Sequence, residues 1–496
     1  MRVAVTYPPL RAPDGVSQAT LGQNRQFQWF HNPSYIYPMI PASLATLLSK
    51  NDFETAWMDG IAEEWSFEQY LAEMKKFQPD LLFIETKTPT VKQYWKIIGQ
   101  MKEMFPNCKF VLYGDHVTAM PEESMRNSLV DFVITGGDYD FLGLSIAKSL
   151  RNGAELRAGI YYRDSEGKIA NSGKFDLVGK LDELPWIDRE LTKWWMYGEF
   201  LYKRTPFTYT LAGRDCPYGK CTFCSWTTIA PRFKVRTPQN LLDEIGFLIE
   251  HYGIREIFDD TGTFPIGGYM QEFCEGMIER GYNKKIYFDC NFRFDYFNPK
   301  LAQTMKSAGF RWMKMGLESA NQETVNRLRK KSEIGLVAEK CRIAKNAGLE
   351  VHLTIMVGYP WETKQDALNT VNLAKYLMRE GLADTLQGTV VIPYPGTPLY
   401  DQAVENGWLT VPPGEWERYG MTEPVLHVPD MKPDEVMKMA HSIYSGVIHP
   451  KFIWKVLRDI KGTEDIAYLY RSARALMGHL FDFKGTRTSD EPGKSN

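Results

Sequence analysis

Short apolar runs alternate with stretches of helical period over the first 150 residues of the chain. Arg2–Tyr7 is a compact apolar run closed by Pro8-Pro9, and Pro41–Ser49 is apolar at helical spacing. Thr55–Met58 reads as a strand entering the Asp59-Gly60 turn. Phe67–Phe77 reads as a helix, Leu81–Ile84 as a strand and Val91–Met104 as a helix. Lys109–Tyr113 and Phe132–Ile134 complete the pattern as strands. Apolar runs separated by helices predict a doubly wound, Rossmann-like parallel sheet buried on both faces. Such sheets hold ligands beyond the carboxyl ends of their strands. The candidate binding positions are therefore Pro8, Pro9, Thr86, Lys87, Thr88, Gly114, His116, Thr118, Gly136 and Gly137.

No G-x-G-x-x-G follows the first strand, which argues against a dinucleotide. The segment Gly114 to Glu123, GDHVTAMPEE, places glycine and small polar residues where a ligand could approach the backbone closely. Its local chemistry favours a turn and a capped helix, with Thr118 or a preceding residue as cap and Pro121-Glu122-Glu123 in the first turn. On the same local grounds His116 reads as a hydrogen-bonded turn residue rather than a metal ligand.

Residues 151–200 read as a connector: Ile160–Arg163 and Lys168–Ala170 flank the hairpin turn Asp164 to Gly167, and a Trp-rich stretch follows from Leu184. Beyond it, Phe207–Ala212, Glu256–Phe258, Ile286–Phe288, Trp312–Leu317, Val351–Val357 and Leu386–Val391 recur as strands between helical stretches. This predicts a partial (β/α)6 barrel over 201–410. Polar motifs stand at the carboxyl ends, where barrel active sites form. They are Asp259-Asp260, Asn291 with Arg293, Glu318-Ser319, GYPWET from Gly358 and PYPGTP from Pro393. Each has a plainer reading as a helix cap or a surface network.

Residues 411–496 read as a helical region, with helices over Asp434–Val447 and Phe452–Lys461 and a mobile polar tail from Thr486 to Asn496. The second helix mixes Phe452, Trp454, Lys455, Arg458 and Lys461. That composition allows peripheral membrane contact, but packing on the barrel is the favoured reading.

A chain of 496 residues suggests about three domains. Lys plus Arg number 59 and Asp plus Glu 61, a net charge of −2. There is no global basic footprint for nucleic acid, although net charge leaves room for a local patch. No window approaches the roughly 18 uninterrupted apolar residues of a membrane span. The amino terminus lacks the pattern of a secretory signal, so a cytoplasmic location is expected.

Seven cysteines, an odd number without a secretion signal, argue against a disulfide framework. Three of them, Cys216, Cys221 and Cys224, lie within one loop at a strand end, spaced by four residues and then two. Three convergent thiolates match a four-iron, four-sulfur cluster with one iron left open. The alternative is a zinc site completed by a distant ligand, in a non-catalytic binding module.

The run Arg214-Asp215-Cys216-Pro217-Tyr218-Gly219-Lys220-Cys221-Thr222-Phe223-Cys224 resembles the cysteine loop of radical S-adenosylmethionine (SAM) enzymes. Phe223 before the last cysteine and the Cys-Pro start match the pattern. The additional residue in the first gap, and Arg214-Asp215 in place of Arg-Gly, depart from it. The resemblance implies a [4Fe-4S] cluster on the three cysteines and SAM held near Phe223, Asp259, Asp260, Asn291, Arg293, Glu318, Ser319 and Gly358. With the N-terminal doubly wound domain, residues 1–410 resemble the cobalamin-dependent members of that group. Cobalamin would then bind at residues 1–150. The D-x-H-x-x-G pattern of a cobalt-ligating His is absent, so no imidazole ligand is expected.

What the resemblance implies is a C-methyltransferase acting on an unactivated carbon of a substrate protein or small molecule. It would consume two SAM molecules per methyl and draw on a reductase or other low-potential electron donor. A peptidyl carbon such as the glutamine α-carbon of methyl-coenzyme M reductase is one expected acceptor. Hopanoid, lipid or tetrapyrrole modification, by methylation, cyclisation or rearrangement, is the alternative.

Overall fold

The computed structural model describes residues 1–10, 18–22, 25–30, 35–198, 202–444 and 449–482. Strands are numbered along the chain. β1 (Arg2–Tyr7) is central in the first sheet, with β4 (Glu54–Asp59) on one side and β5 (Leu81–Glu85) on the other. β6 (Lys109–Tyr113) and β7 (Phe132–Ile134) follow in parallel. β1, β5 and β6 are strings of Val, Ile, Leu and Phe buried on both faces, as a covered parallel sheet requires. The order β4-β1-β5-β6-β7 reverses direction at β1, which opens a crevice between the carboxyl ends of β1 and β5.

The helix Phe67–Phe77 begins on a capping box between Ser66 and Gln69, which explains why its start is sharp. Two short strands, β2 (Gln18–Gly22) and β3 (Arg25–Phe30), form a separate antiparallel pair. The hairpin β8 (Ile160–Arg163) and β9 (Ile169–Asn171) adds to the edge of the first sheet through antiparallel pairing of β7 with β8. The sheet thus continues to residue 171, into the segment expected to be a connector.

The second sheet has the order β10-β13-β14-β15-β16-β17. Its strands are β10 (Phe207–Thr210), β13 (Glu256–Asp259), β14 (Tyr287–Phe292), β15 (Phe310–Glu318), β16 (Glu350–Val357) and β17 (Thr385–Val390), all parallel. This is the expected open six-stranded barrel. Arg311 closes its amino end, paired with Glu256 at 2.8 Å, Asp289 at 2.7 Å and Glu350 at 2.9 Å. A ligand therefore enters from the carboxyl end. The two-residue strands β11 (Gly213–Arg214) and β12 (Lys234–Val235) pair antiparallel and close the loop that carries the cysteines.

The C-terminal region is partly irregular and then helical, over Pro433–Ile443, Pro450–Arg458 and Thr463–Asp482. Its single turn Trp416–Arg418 reaches back to the first domain: Trp416 Nε1 donates to Glu123 at 2.9 Å, and Glu417 pairs with Lys92 at 3.2 Å. The helix Pro450–Arg458 buries Phe452 and pairs Lys455 with Asp384, while Ile453, Trp454 and Leu457 stay exposed. No described helix is long and apolar enough to cross a membrane. The tail from Thr486 to Asn496 lies outside the described residues.

Candidate active site at the domain junction

The cysteine loop is pinned at both ends and along its middle. Gly213 has no room for a Cβ, which would stand 2.8 Å from Lys234 O and from the Phe233 ring. Thr222 N donates to Leu328 O at 3.0 Å, and Leu399 N donates to Thr222 O at 3.0 Å. Thr228 Oγ1 donates to Gly396 O at 2.9 Å. Phe223 packs against a small apolar cluster that includes Tyr359 and Trp361. The three cysteines are partly buried, and Cys216 Sγ lies 3.3 Å from Thr263 Oγ1.

Burial pushes the Cys221 thiol up to about 11 and Cys224 well above its ordinary value. Free, these groups hold their protons at neutral pH; a thiolate donor set here needs a bound cation to stabilise it. Among the described residues, no three or more His, Cys, Asp or Glu gather tightly enough to hold one metal ion. Three cysteines on one loop are the donor type that an iron–sulfur cluster takes.

The loop is tied to the first domain by Arg214. Its guanidinium donates to Asp138 at 3.1 Å and to Asp140 at 2.9 and 2.6 Å, all three residues being buried. Burial alone would raise Asp140, but Arg214 and the hydrogen bond from Ser43 hold its carboxyl below the usual range. Lys234 adds a second cation on Asp138 at 3.0 Å. Arg214 stands where the sequence pattern expects an arginine, yet it serves the domain interface.

The barrel residues expected to hold SAM divide into two groups. Glu318 and Arg293 face the cysteine loop. Glu318 pairs with buried Lys330 at 2.5 Å, and Arg293 lies over the Tyr218 ring at 4.4 Å. Lys330, Glu318, Cys216 and Arg293 all bear electrostatically on Cys221. Asn291 donates to Thr261 O at 2.9 Å beside them.

Asp259 and Ser319 instead hold the frame together. Asp259 accepts from Thr210 Oγ1 and Ala212 N at 2.9 Å and from Thr261 N at 3.2 Å. Ser319 Oγ donates to Glu362 at 2.7 Å and accepts from Asn321 N at 3.1 Å. Asp260 is buried next to Asp259. Gly358, at φ +94°, lets the backbone turn where a Cβ would stand 2.8 Å from Val436. Lys330 escaped the sequence reading: in Arg329-Lys330-Lys331 it looks like one of three solvated cations.

In the first domain, the Tyr7 hydroxyl donates to Glu85, and Lys87 lies 3.2 Å from Glu85, at the crevice between β1 and β5. Lys87 is buried; desolvation works against its charge, but Asp115 and Glu85 raise it, and Asp215 of the cysteine loop adds to them. Thr86 N extends the ladder to Tyr113 O at 2.8 Å. Gly114, at φ +132°, leaves no space for a Cβ against Thr86 O. Pro8 and Pro9 close β1, and Pro9 packs against Gly60. Gly136 packs under Phe175, and Gly137 lies against Ile229 after the cysteine loop.

Thr118 is not a helix cap: it lies within the turn Asp115–Ala119, donates to Gly114 O at 2.6 Å and accepts from Gly136 N at 3.1 Å. Pro121–Asn127 begins instead at Met120, without a side-chain cap. His116 is fully buried, its Nε2 3.0 Å from Glu123 and its Nδ1 3.3 Å from Thr88, with Trp416 edge-on at 5.1 Å. Both ring nitrogens are engaged by protein.

Buried polar atoms near this junction without a hydrogen-bond partner include the hydroxyls of Tyr94, Tyr113 and Tyr139 and Asp215 Oδ1. Tyr139 feels Glu85, Asp115 and Asp215, so it stands between the crevice and the cysteine loop. Buried polar groups are almost always satisfied. Orphaned donors and acceptors there fit a bound polar group.

A family model described as the Radical SAM superfamily matches residues 211–374. A protein named as an uncharacterized methyltransferase in Pyrococcus horikoshii is 27% identical over 434 residues, covering 85% of this chain and 91% of that one. Among solved structures, the radical SAM methyltransferase TsrM from Kitasatospora setae, with tryptophan and a SAM analogue, aligns at a TM-score of 0.67 and 15% identity. The alignment covers 91% of this chain and 90% of that one. The cobalamin-dependent SAM radical enzyme OxsB, with aqua-cobalamin and SAM, aligns at 0.67 and 14% identity over 96% of this chain and 71% of that one.

Proposed function

Residues 211–374 being a radical SAM domain, in a chain that folds like the cobalamin-dependent radical SAM enzymes, we propose that the protein is a C-methyltransferase of that kind. The observation that carries the reading is the junction itself. A loop of three cysteines is bolted by Arg214 to Asp138 and Asp140, and its Asp215 stands by Lys87 and Tyr139 at the crevice of the first domain.

Cys216, Cys221 and Cys224 would hold a [4Fe-4S] cluster, and the ends of β1, β5, β6 and β7 would hold cobalamin. When bound, these groups supply the electron that opens SAM to a carbon radical and the methyl that a substrate radical accepts. The protein's own part is positional. Lys330 and Glu318 set the charge beside Cys221, and the turn at Gly358 would stand near the adenosine. The apolar walls around Phe223, Tyr359 and Trp361 keep water from a radical. Thr88 and Glu123 engage both ring nitrogens of His116, so the imidazole would not be offered to cobalt.

The acceptor is a carbon without a lone pair; the peptidyl glutamine expected from sequence finds no support in the named relatives. Product analysis tests the reaction type. Anaerobic enzyme supplied with cobalamin, SAM, a chemical reductant and a candidate acceptor should give one S-adenosylhomocysteine and one 5′-deoxyadenosine for each methyl placed. Deoxyadenosine made in step with a product that gains no methyl points to a rearrangement or cyclisation.

A further inference from the structure

Beside the cysteine loop lies an open cavity of about 500 Å³. Tyr218, Lys220, Cys221, Thr227, Arg329 and Lys331 line it, so one candidate cluster thiolate is reached directly from solvent. Lys220, Arg329 and Lys331 are exposed, and none has a carboxylate partner among the described residues. That sets them apart from neighbouring surface cations such as Arg327, which is spent on Glu323 at 2.9 Å. The chain as a whole carries −2, so this concentration of positive charge is local.

The cations are also held in place. Arg329 and Lys331 have left-handed backbones, at φ +52° and +55°, which non-glycine residues rarely adopt. Lys330 between them turns inward to Glu318 and leaves its two neighbours facing out. Arg293 fixes the loop by donating to Lys330 O at 2.7 Å, Tyr218 OH donates to Arg329 O, and Thr222 N donates to Leu328 O at 3.0 Å. A preformed ring of three unpaired cations around an opening to the cluster position is a docking surface for negative charge.

We infer that this face docks an acidic one-electron donor protein, which delivers the electron through the Cys221 side of the loop. The inference rests on the cluster assignment above. One electron leaves the donor, which is oxidised by one unit, and the cluster is reduced by one unit. No bond forms or breaks, and no proton need move. The three cations act by positioning the donor.

The test uses the anaerobically reconstituted full chain, with a reduced flavodoxin as the acidic donor and photoreduced 5-deazaflavin as a small donor that needs no docking. Stopped-flow bleaching of the cluster absorbance reads the rate. For the unaltered protein the flavodoxin rate should fall steeply with added salt. In Lys220→Glu/Arg329→Glu/Lys331→Glu it should drop by about tenfold or more and lose its salt dependence, while bleaching by deazaflavin stays unchanged. Lys220→Glu alone, outside the left-handed loop, should give an intermediate loss and decides the matter if the triple variant fails to retain iron. Equal flavodoxin rates in parent and variants, or a parent rate indifferent to salt, overturn the docking surface. Absence of any bleaching by deazaflavin in the parent overturns the cluster assignment instead, and the docking proposal with it.

Discussion

The two sheets of this protein both mix engaged and unpartnered polar groups at their carboxyl ends, but with different residue types. At the barrel, most of the polar motif residues satisfy one another: Asp259 ties β10 to β13, Ser319 holds Glu362, and Arg293 clamps the loop at Lys330. Around the first-domain crevice the hydroxyls of Tyr94, Tyr113 and Tyr139 are left without partners, while on the barrel side the orphaned atoms, among them Asp215 Oδ1, Tyr359 OH and Glu362 Oε2, gather around the cysteine loop and the Gly358 turn. A conspicuous polar motif can be scaffolding, while an unremarkable tyrosine can mark the ligand site. The better sign of a binding surface is a buried group left unsatisfied, because desolvation without a partner costs about 1–3 kcal/mol and persists only where something repays it.

The sharpest way to break the comparison is to remove the cysteines. Cys216→Ala/Cys221→Ala/Cys224→Ala should abolish bound iron and the brown absorbance altogether, yet retain cobalamin, because the crevice belongs to the other sheet. Iron and cobalamin analysis of the anaerobic variant checks this, and iron at the parent's level would refute the cluster assignment.

Next in size is the bolt between the sheets. Arg214→Met leaves Asp138 and Asp140 buried beside one remaining cation, Lys234, and should cost about 3–5 kcal/mol by thermal or denaturant unfolding. The pH dependence has a definite sign. Asp140 is held below its unfolded value, so its contribution is present above that value and is lost as pH falls through the folded one. Acid should therefore destabilise the parent more steeply than the Arg214 variant on that limb; parallel acid profiles would contradict the pairing.

A smaller effect separates scaffolding from site. Asp259→Asn should lower stability by about 1–3 kcal/mol through the lost strand-end bonds, with little change in SAM affinity by equilibrium binding. A large loss of affinity at unchanged stability would return Asp259 to the ligand shell. The smallest change is expected from His116→Ala. The electron paramagnetic spectrum of bound Co(II) should be the same with and without the imidazole, since Thr88 and Glu123 already occupy both nitrogens. Loss of a nitrogen signature would make His116 a ligand.

Much of this was legible in the chain wherever local chemistry settles the outcome. Phe67–Phe77 and Val91–Met104 form as read, because their apolar faces recur at helical period, and in the first a Ser66–Gln69 box fixes the start. The six barrel strands were readable from apolar runs between amphipathic helices. The β11–β12 ladder was not, since two residues per strand carry no period. The edge hairpin β8–β9 was read correctly as a hairpin, but nothing in its sequence names the strand it joins. Arg214 with Asp138 and Asp140, and Lys330 with Glu318, are pairings across 76, 74 and 12 residues. Only the folded chain brings them together, and in both cases the cation is buried.

The central claim, that one chain holds both an iron–sulfur cluster and cobalamin at this junction, is tested most directly by metal analysis of protein purified and reconstituted without oxygen. The account predicts iron and cobalt together at a ratio of about four to one, with cobalt retained after removal of unbound cobalamin. Zinc in place of iron, or iron with no retained cobalt, would contradict it.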